Sequence, residues 1–122
     1  WVVHGCVGMD EITTTGPTFV AELKEGSVSR FEVTPEEAGL SLAAPEDLLG
    51  GEAEKNAAMM RSLLGGESGS LRDIVLLNSA AALVIAGRAE DLATGVELAA
   101  RAIDEGRSLA TLEKLVAITN GE

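Results

Sequence analysis

The chain has 122 residues, 20 acidic against 9 basic, a formal net charge of −11, and 46% hydrophobic residues. That length fits one compact domain able to hide roughly two-thirds of its unfolded surface. The ordinary balance of apolar and charged residues excludes disordered, collagen-like and coiled-coil chains.

With no cluster of Lys and Arg, an acidic chain is a poor partner for nucleic acid, whose phosphates are met by grouped cations. Three aromatics, Trp1, Phe19 and Phe31, with no Tyr, do not make a base-stacking platform either. The longest apolar stretch, Leu71 to Ala86, is interrupted by Arg72, Asp73 and Asn78 and is too short to cross a bilayer. No membrane span and no signal peptide are read, so a cytoplasmic protein is expected. A single Cys6 has no internal disulfide partner and reads as a small, half-buried hydrophobe in a reducing compartment.

Trp1-Val2-Val3-His4 reads as a strand cut from something longer, so the chain is expected to be a fragment. Gly5 to Pro17, rich in Gly, Thr and acid and without periodicity, reads as a flexible loop where chemistry could sit. Phe19 to Leu23 and Val28 to Val33 flank Lys24-Glu25-Gly26-Ser27 and predict an antiparallel hairpin. Thr34-Pro35-Glu36-Glu37 has the order of a capping box and starts a short helix ending near Gly39. Ala44 to Leu49 adds one more turn before Gly50-Gly51.

From Glu52 to Leu64 the spacing of Ala53, Asn56, Ala57, Met60 and Leu64 predicts a helix closed by Gly65-Gly66, with Met59 and Met60 as core filler. Ser70 caps the next predicted helix, which is apolar almost all round up to Gly87 and should be the central buried helix. Leu92, Val96, Ala99 and Ile103 form a helical stripe ending at Gly106, and Leu109 to Thr119 supplies the last helix. The fold class expected is α/β: a few strands including a hairpin, packed on a helix-rich tail.

Five adjacent acidic pairs occur, and four of them fall at helix ends, where solvent or the helix dipole explains them. Asp10-Glu11 alone lies between a strand end and a Thr-rich, Gly-containing loop, a setting that suits a hard cation such as Mg2+. His4 has no Ser, Cys or second His near it and is expected to be a hydrogen-bonded structural residue. Thr13-Thr14-Thr15-Gly16-Pro17 either touches a phosphate or bonds its own backbone. Gly65-Gly66-Glu67-Ser68-Gly69 lacks the P-loop Lys and reads as a connector. Asn78 and Ser79 must find hydrogen-bond partners on the buried helix, which points to packing. Arg72-Asp73 is expected to tie the start of that helix to a neighbouring loop.

Val2-Val3-His4-Gly5, followed by Gly8 through Thr18, resembles the metal-site segment of the anthranilate phosphoribosyltransferase family. The likeness continues in order through Val20 to Leu23, Gly26, Val33 to Leu40, Gly50-Gly51 with Glu54, Asn56 and Ala57, and Arg72 to Asn78. It spans nearly the whole chain and matches the C-terminal part of the family.

The resemblance implies an enzyme that joins anthranilate to phosphoribosyl pyrophosphate with loss of pyrophosphate, in tryptophan biosynthesis. It implies a helical domain and an α/β domain, of which this chain holds roughly the last third, with one strand running parallel to strands outside the chain. Carried over by position, Asp10 and Glu11 match the family's Mg2+-binding acidic pair, Glu11 bridging two ions. No catalytic residue and no organic-cofactor residue is carried over. Val7 stands where the family commonly has a small acidic or polar residue, and nothing here looks like its Gly-Thr-Gly-Gly-Asp or Lys-His-Gly motifs. The fragment alone is therefore expected to be inactive and to self-associate, while the full-length enzyme is expected to be a homodimer. The competing readings are a pyrimidine nucleoside phosphorylase relative, which would not need the Asp10-Glu11 pair, and a non-catalytic helical interaction module.

Overall fold

The computed structural model describes residues 1–121. Three strands, β1 (Val2–Gly5), β2 (Thr18–Lys24) and β3 (Ser27–Val33), are followed by four helices: α1 (Ala53–Leu64), α2 (Ser70–Ile85), α3 (Leu92–Asp104) and α4 (Arg107–Thr119). The α/β class expected from the sequence is what the chain adopts.

The sheet is an antiparallel meander in the order β1-β2-β3. Between β2 and β3 the turn places Glu25 and Gly26 at φ of 51° and 79°. Positive φ at both central residues is the two-residue turn whose twist matches a right-handed hairpin. Across the ladder, Val3 pairs with Val20 and Val20 with Phe31, while Gly5 pairs with Thr18 and Thr18 with Val33. With a side-chain period of two, these rows face inward, and Val20 and Val33 are buried. The alternate rows carry Val2, His4 and Phe19 to the outer face, where all three are exposed. Trp1 lies edge-on to Phe31, ring centroids 5.3 Å apart, and its Nε1 donates to Glu22 Oε1 at 2.8 Å.

Helix α2 closes the core. Leu77, Ala80 and Ala81 pack with Ile12, Val20, Val33, Ala38 and Leu92 in one cluster, and Leu76 packs with Ala99 and Ile103 in a second. The helix is central, as its composition predicts, yet its last turn emerges, with Ile85 58% exposed. Its contact with α3 is close because Gly95 has no side chain: a Cβ there would sit 2.8 Å from Ala80 Cα and Cβ. Asp91 caps α3, its carboxylate accepting from the Thr94 N–H at 2.8 Å, and that bond holds its pKa below the usual carboxylate range.

Several local expectations are corrected. Helix α1 forms, but none of its residues is buried, and Met60 is 48% exposed, so Met60 is not core filler. The Asn56 amide instead closes the turn before the helix, bonding both N–H and C=O of Gly51. Ser70 does not cap α2; its hydroxyl lies 3.5 Å from Asp47 Oδ2, and Gly69 holds the cap position. The capping box at Thr34 is half made, with Glu37 accepting from the Thr34 N–H, and it leads only into a 3-10 turn at Glu36–Ala38. Helix α4 starts at Arg107, two residues before the apolar pattern begins, and buries no residue.

Gly95→Ala should destabilise the chain by about 1–3 kcal/mol, since the methyl group must push α2 and α3 apart. Equilibrium urea unfolding checks this, and a variant as stable as the parent would show that the two helices separate freely.

Candidate metal centre

The segment between β1 and β2 is a tied loop. Gly5 donates its N–H to the Met9 carbonyl at 2.9 Å, and Cys6 donates to the Pro17 carbonyl at 3.0 Å, so both ends of the segment are drawn together. The 3-10 turn Cys6–Gly8 needs left-handed backbone at Val7 (φ 57°) and Gly8 (φ 85°). A β-branched residue is strained there, and Val7 is 81% exposed, so packing does not compensate.

Beyond the acidic pair, Ile12 is 3% exposed and Thr13, Thr14 and Thr18 are fully buried. Three threonine hydroxyls, those of Thr13, Thr15 and Thr18, bond within the loop itself. Thr18 Oγ1 accepts from the Thr13 N–H at 3.1 Å, and Thr13 Oγ1 accepts from the Thr15 N–H at 3.0 Å. The expectation of a flexible loop is therefore corrected; the Thr13, Thr15 and Thr18 hydroxyls bond within the loop, while Thr14 Oγ1 is buried without a partner. Sequence periodicity carried no sign of this order, because the loop is held by irregular hydrogen bonds.

Asp10 and Glu11 sit at the exposed crest between these anchors. Partial burial first, and the negative charge of Asp10 second, push the Glu11 carboxyl above its usual pKa. Among the described residues, no group of three or more His, Cys, Asp or Glu side chains comes together. Asp10 and Glu11 therefore stand as two carboxylates without a third such side chain grouped with them. That donor set fits Mg2+, which is commonly held by one or two carboxylates with phosphate oxygens and water completing its octahedron.

Directly behind the pair lies Asn78, which sequence reasoning assigned only to packing. Its Oδ1 accepts from the Ile12 N–H at 3.1 Å, and its Nδ2 donates to the Ile12 carbonyl at 2.7 Å and to the Ile74 carbonyl at 3.0 Å. The other singled-out residues lie elsewhere. His4 is exposed on the outer sheet face opposite Phe19, which corrects its expected structural role. Cys6 is half-buried, its Sγ 3.5 Å from Thr15 Oγ1. Arg72 is 9% exposed, and its Nη2 pairs with Asp104 Oδ1 at 2.7 Å, so it ties α2 to α3 and not to a loop. A cleft of about 580 Å3 lies beside α1 and the start of α2, and one of about 720 Å3 beside α2 and α3; neither is lined by Asp10 or Glu11.

Residues 1–109 match the model of the glycosyl transferase family, a/b domain, and the chain belongs to that family. Within it, the chain is similar to anthranilate phosphoribosyltransferases. It is 63% identical over 122 residues to that of Parvibaculum lavamentivorans, covering 100% of this chain and 36% of the relative. It is 58% identical over 120 residues to that of Paramagnetospirillum magneticum, covering 98% and 35%. The crystal structure of the Thermus thermophilus enzyme superposes with a TM-score of 0.84 at 41% identity, over 94% of this chain and 34% of that one. A Saccharomyces cerevisiae anthranilate phosphoribosyltransferase in complex with PRPP and Mg shares the fold, with a TM-score of 0.82 at 24% identity over 91% of this chain. The chain thus spans about a third of the length of the relatives it matches.

Because the Glu11 pKa is raised, the folded chain without metal holds this proton more tightly than the unfolded chain does. Ionised Glu11 therefore costs stability above its folded pKa and costs nothing below its unfolded one. Glu11→Gln should leave stability unchanged at about pH 3 and raise it modestly at about pH 7. Denaturant unfolding at the two pH values checks this, and a variant less stable than the parent at neutral pH would contradict it.

Proposed function

We propose that this chain is the C-terminal part of the α/β domain of an anthranilate phosphoribosyltransferase. The whole enzyme would transfer the phosphoribosyl group of phosphoribosyl pyrophosphate to anthranilate, releasing pyrophosphate, in tryptophan biosynthesis. The observation that carries this reading is similarity over the whole of this chain to about a third of relatives of that name, with Asp10 and Glu11 standing exposed on an otherwise anchored loop.

In this reading Asp10 and Glu11 would hold Mg2+, with Glu11 the bridge between two ions. The metal supplies positive charge where pyrophosphate departs as a multiply charged anion. The two carboxylates act by holding charge in place, so neither has to donate or accept a proton, and no nucleophile from this chain takes part. The buried threonine hydroxyls tie the segment behind the pair to its own backbone and so support an ordered crest.

Among the described residues no strand pairs with the outer edge of β1, which with the exposed Val2 and Phe19 supports a place within a larger sheet. The same surfaces should make the isolated chain self-associate. Anthranilate contacts and the homodimer interface belong, in this reading, to the helical domain. A cytoplasmic location accords with tryptophan biosynthesis and with the absence, among the described residues, of a helix long and apolar enough to cross a membrane.

A chimera tests this function. Exchanging the matching third of the Parvibaculum lavamentivorans enzyme for this chain should give a Mg2+-dependent phosphoribosyltransferase. Asp10→Ala or Glu11→Ala in that chimera should lower kcat/KM by about 10²-fold, and the 122-residue chain alone should show no turnover. A folded chimera without activity, or carboxylate variants with full activity, would contradict the assignment.

A further inference from the structure

We propose that Asn78 is the positioning residue of the acidic pair: its amide clamps both backbone groups of Ile12, the N–H of the Glu11–Ile12 peptide and the carbonyl of the next, and so anchors the backbone from which Glu11 presents its carboxylate. This rests on the metal-binding reading of Asp10 and Glu11 given above.

Sequence distance makes the contact notable, since Asn78 lies 66 residues from Ile12 and reaches it from the middle of α2. An N–H and a C=O of one residue face the side chain together, and only an amide offers an acceptor and a donor side by side to both. The pairing also fixes which end of the amide is oxygen, because a flipped group would set donor against donor and acceptor against acceptor. The third bond, to the Ile74 carbonyl one turn back, uses the remaining Nδ2 proton and locks the side chain on its own helix.

Packing alone does not call for Asn at this position. Its helical neighbours Ile74, Leu77 and Ala81 are buried and apolar, and Leu would fill similar volume. Leu would, however, strand the backbone N–H and C=O of Ile12, a residue 3% exposed, and a buried orphan of this kind is strongly disfavoured. Asp would turn an oxygen toward two carbonyls.

The clamp works against a wall. On the other side of the loop, a Cβ added to Gly5 would lie 2.8 Å from the Glu11 carbonyl oxygen and 2.8 Å from Met9 Cβ. The carbonyl of Glu11 is thus backed by the end of β1, while the N–H of the same peptide is bonded to α2. With its N–H bonded and its carbonyl oxygen closely backed, that peptide is held in place and anchors the Glu11 Cα from its C-terminal side. A group that orients a metal ligand from behind commonly governs affinity as strongly as the ligand itself.

The test uses the full chain with Mn2+ as probe. Free Mn2+ is followed by electron paramagnetic resonance, Mg2+ serves as competitor, and hydrogen exchange of the Ile12 amide is read by NMR. Asn78→Ala should weaken Mn2+ binding by about tenfold or more and speed exchange at Ile12. Gly5→Ala, which pushes on the same peptide from β1, should weaken Mn2+ binding likewise, and it decides the matter if Asn78→Ala does not fold. Ile103→Val, which loosens the second core cluster far from the loop, should leave both readings unchanged. Wild-type affinity in the Asn78 and Gly5 variants would overturn the positioning role while leaving the metal pair intact. A wild-type chain that takes up no Mn2+ would overturn the metal reading itself, and the role of Asn78 with it.

Discussion

The fold and its candidate site depend on how residue 12 is held. Ile12 places its side chain in the core against the α2 residues Leu77, Ala80 and Ala81, and gives its backbone N–H and C=O to Asn78 of the same helix. Burying such a side chain contributes about 1.5–3 kcal/mol, and each satisfied amide bond about 1 kcal/mol. Those gains exceed the roughly 1–2 kcal/mol of backbone entropy lost in ordering one residue. The loop can therefore be rigid at Ile12 while Asp10 and Glu11, immediately before it, stay in solvent.

Helix α2 is what makes this possible, because it serves three neighbours at once. One face meets the inner rows of the sheet, Asn78 meets the loop, and Ala80 and Leu76 meet α3. The Arg72–Asp104 ion pair joins the start of α2 to the end of α3, with the guanidinium largely buried and the carboxylate 57% exposed. Displacing α2 would therefore move the metal loop, the sheet and α3 together. The burial that raises the Glu11 pKa is a by-product of this arrangement: a carboxylate set next to an anchored residue loses some of its water.

Elements with a clear period were legible in the sequence. The hairpin followed from two β-rich runs around a Gly-containing turn, and the inward stripe of α3 at Leu92, Ala99 and Ile103 followed from helical spacing. Central burial of α2 followed from its apolar composition. What was not legible had no period. The order of Ile12 to Thr18 comes from hydroxyl and amide bonds between residues of irregular spacing, and the role of Gly95 comes from the approach of a different helix. Helix α1 shows the opposite failure, since its apolar positions have the right spacing but only its last turn, through Leu64, packs against the core, and none of its residues is fully buried. Asp10 and Glu11 stood out by their setting, yet Asn78, which holds the loop behind them, gave no signal beyond being a polar residue on an apolar helix.

The central claim is that the acidic pair is preformed, its backbone fixed between β1 and α2 before any metal arrives. Crystal structures of the chain with and without Mn2+, the latter carrying an anomalous signal, test that most directly. A peak bounded by the Asp10 and Glu11 carboxylates is expected, with the backbone from Met9 to Thr13 superposing in the two structures and the Asn78–Ile12 bonds intact in both. A peak elsewhere, or a loop that rearranges to form the site, would contradict it.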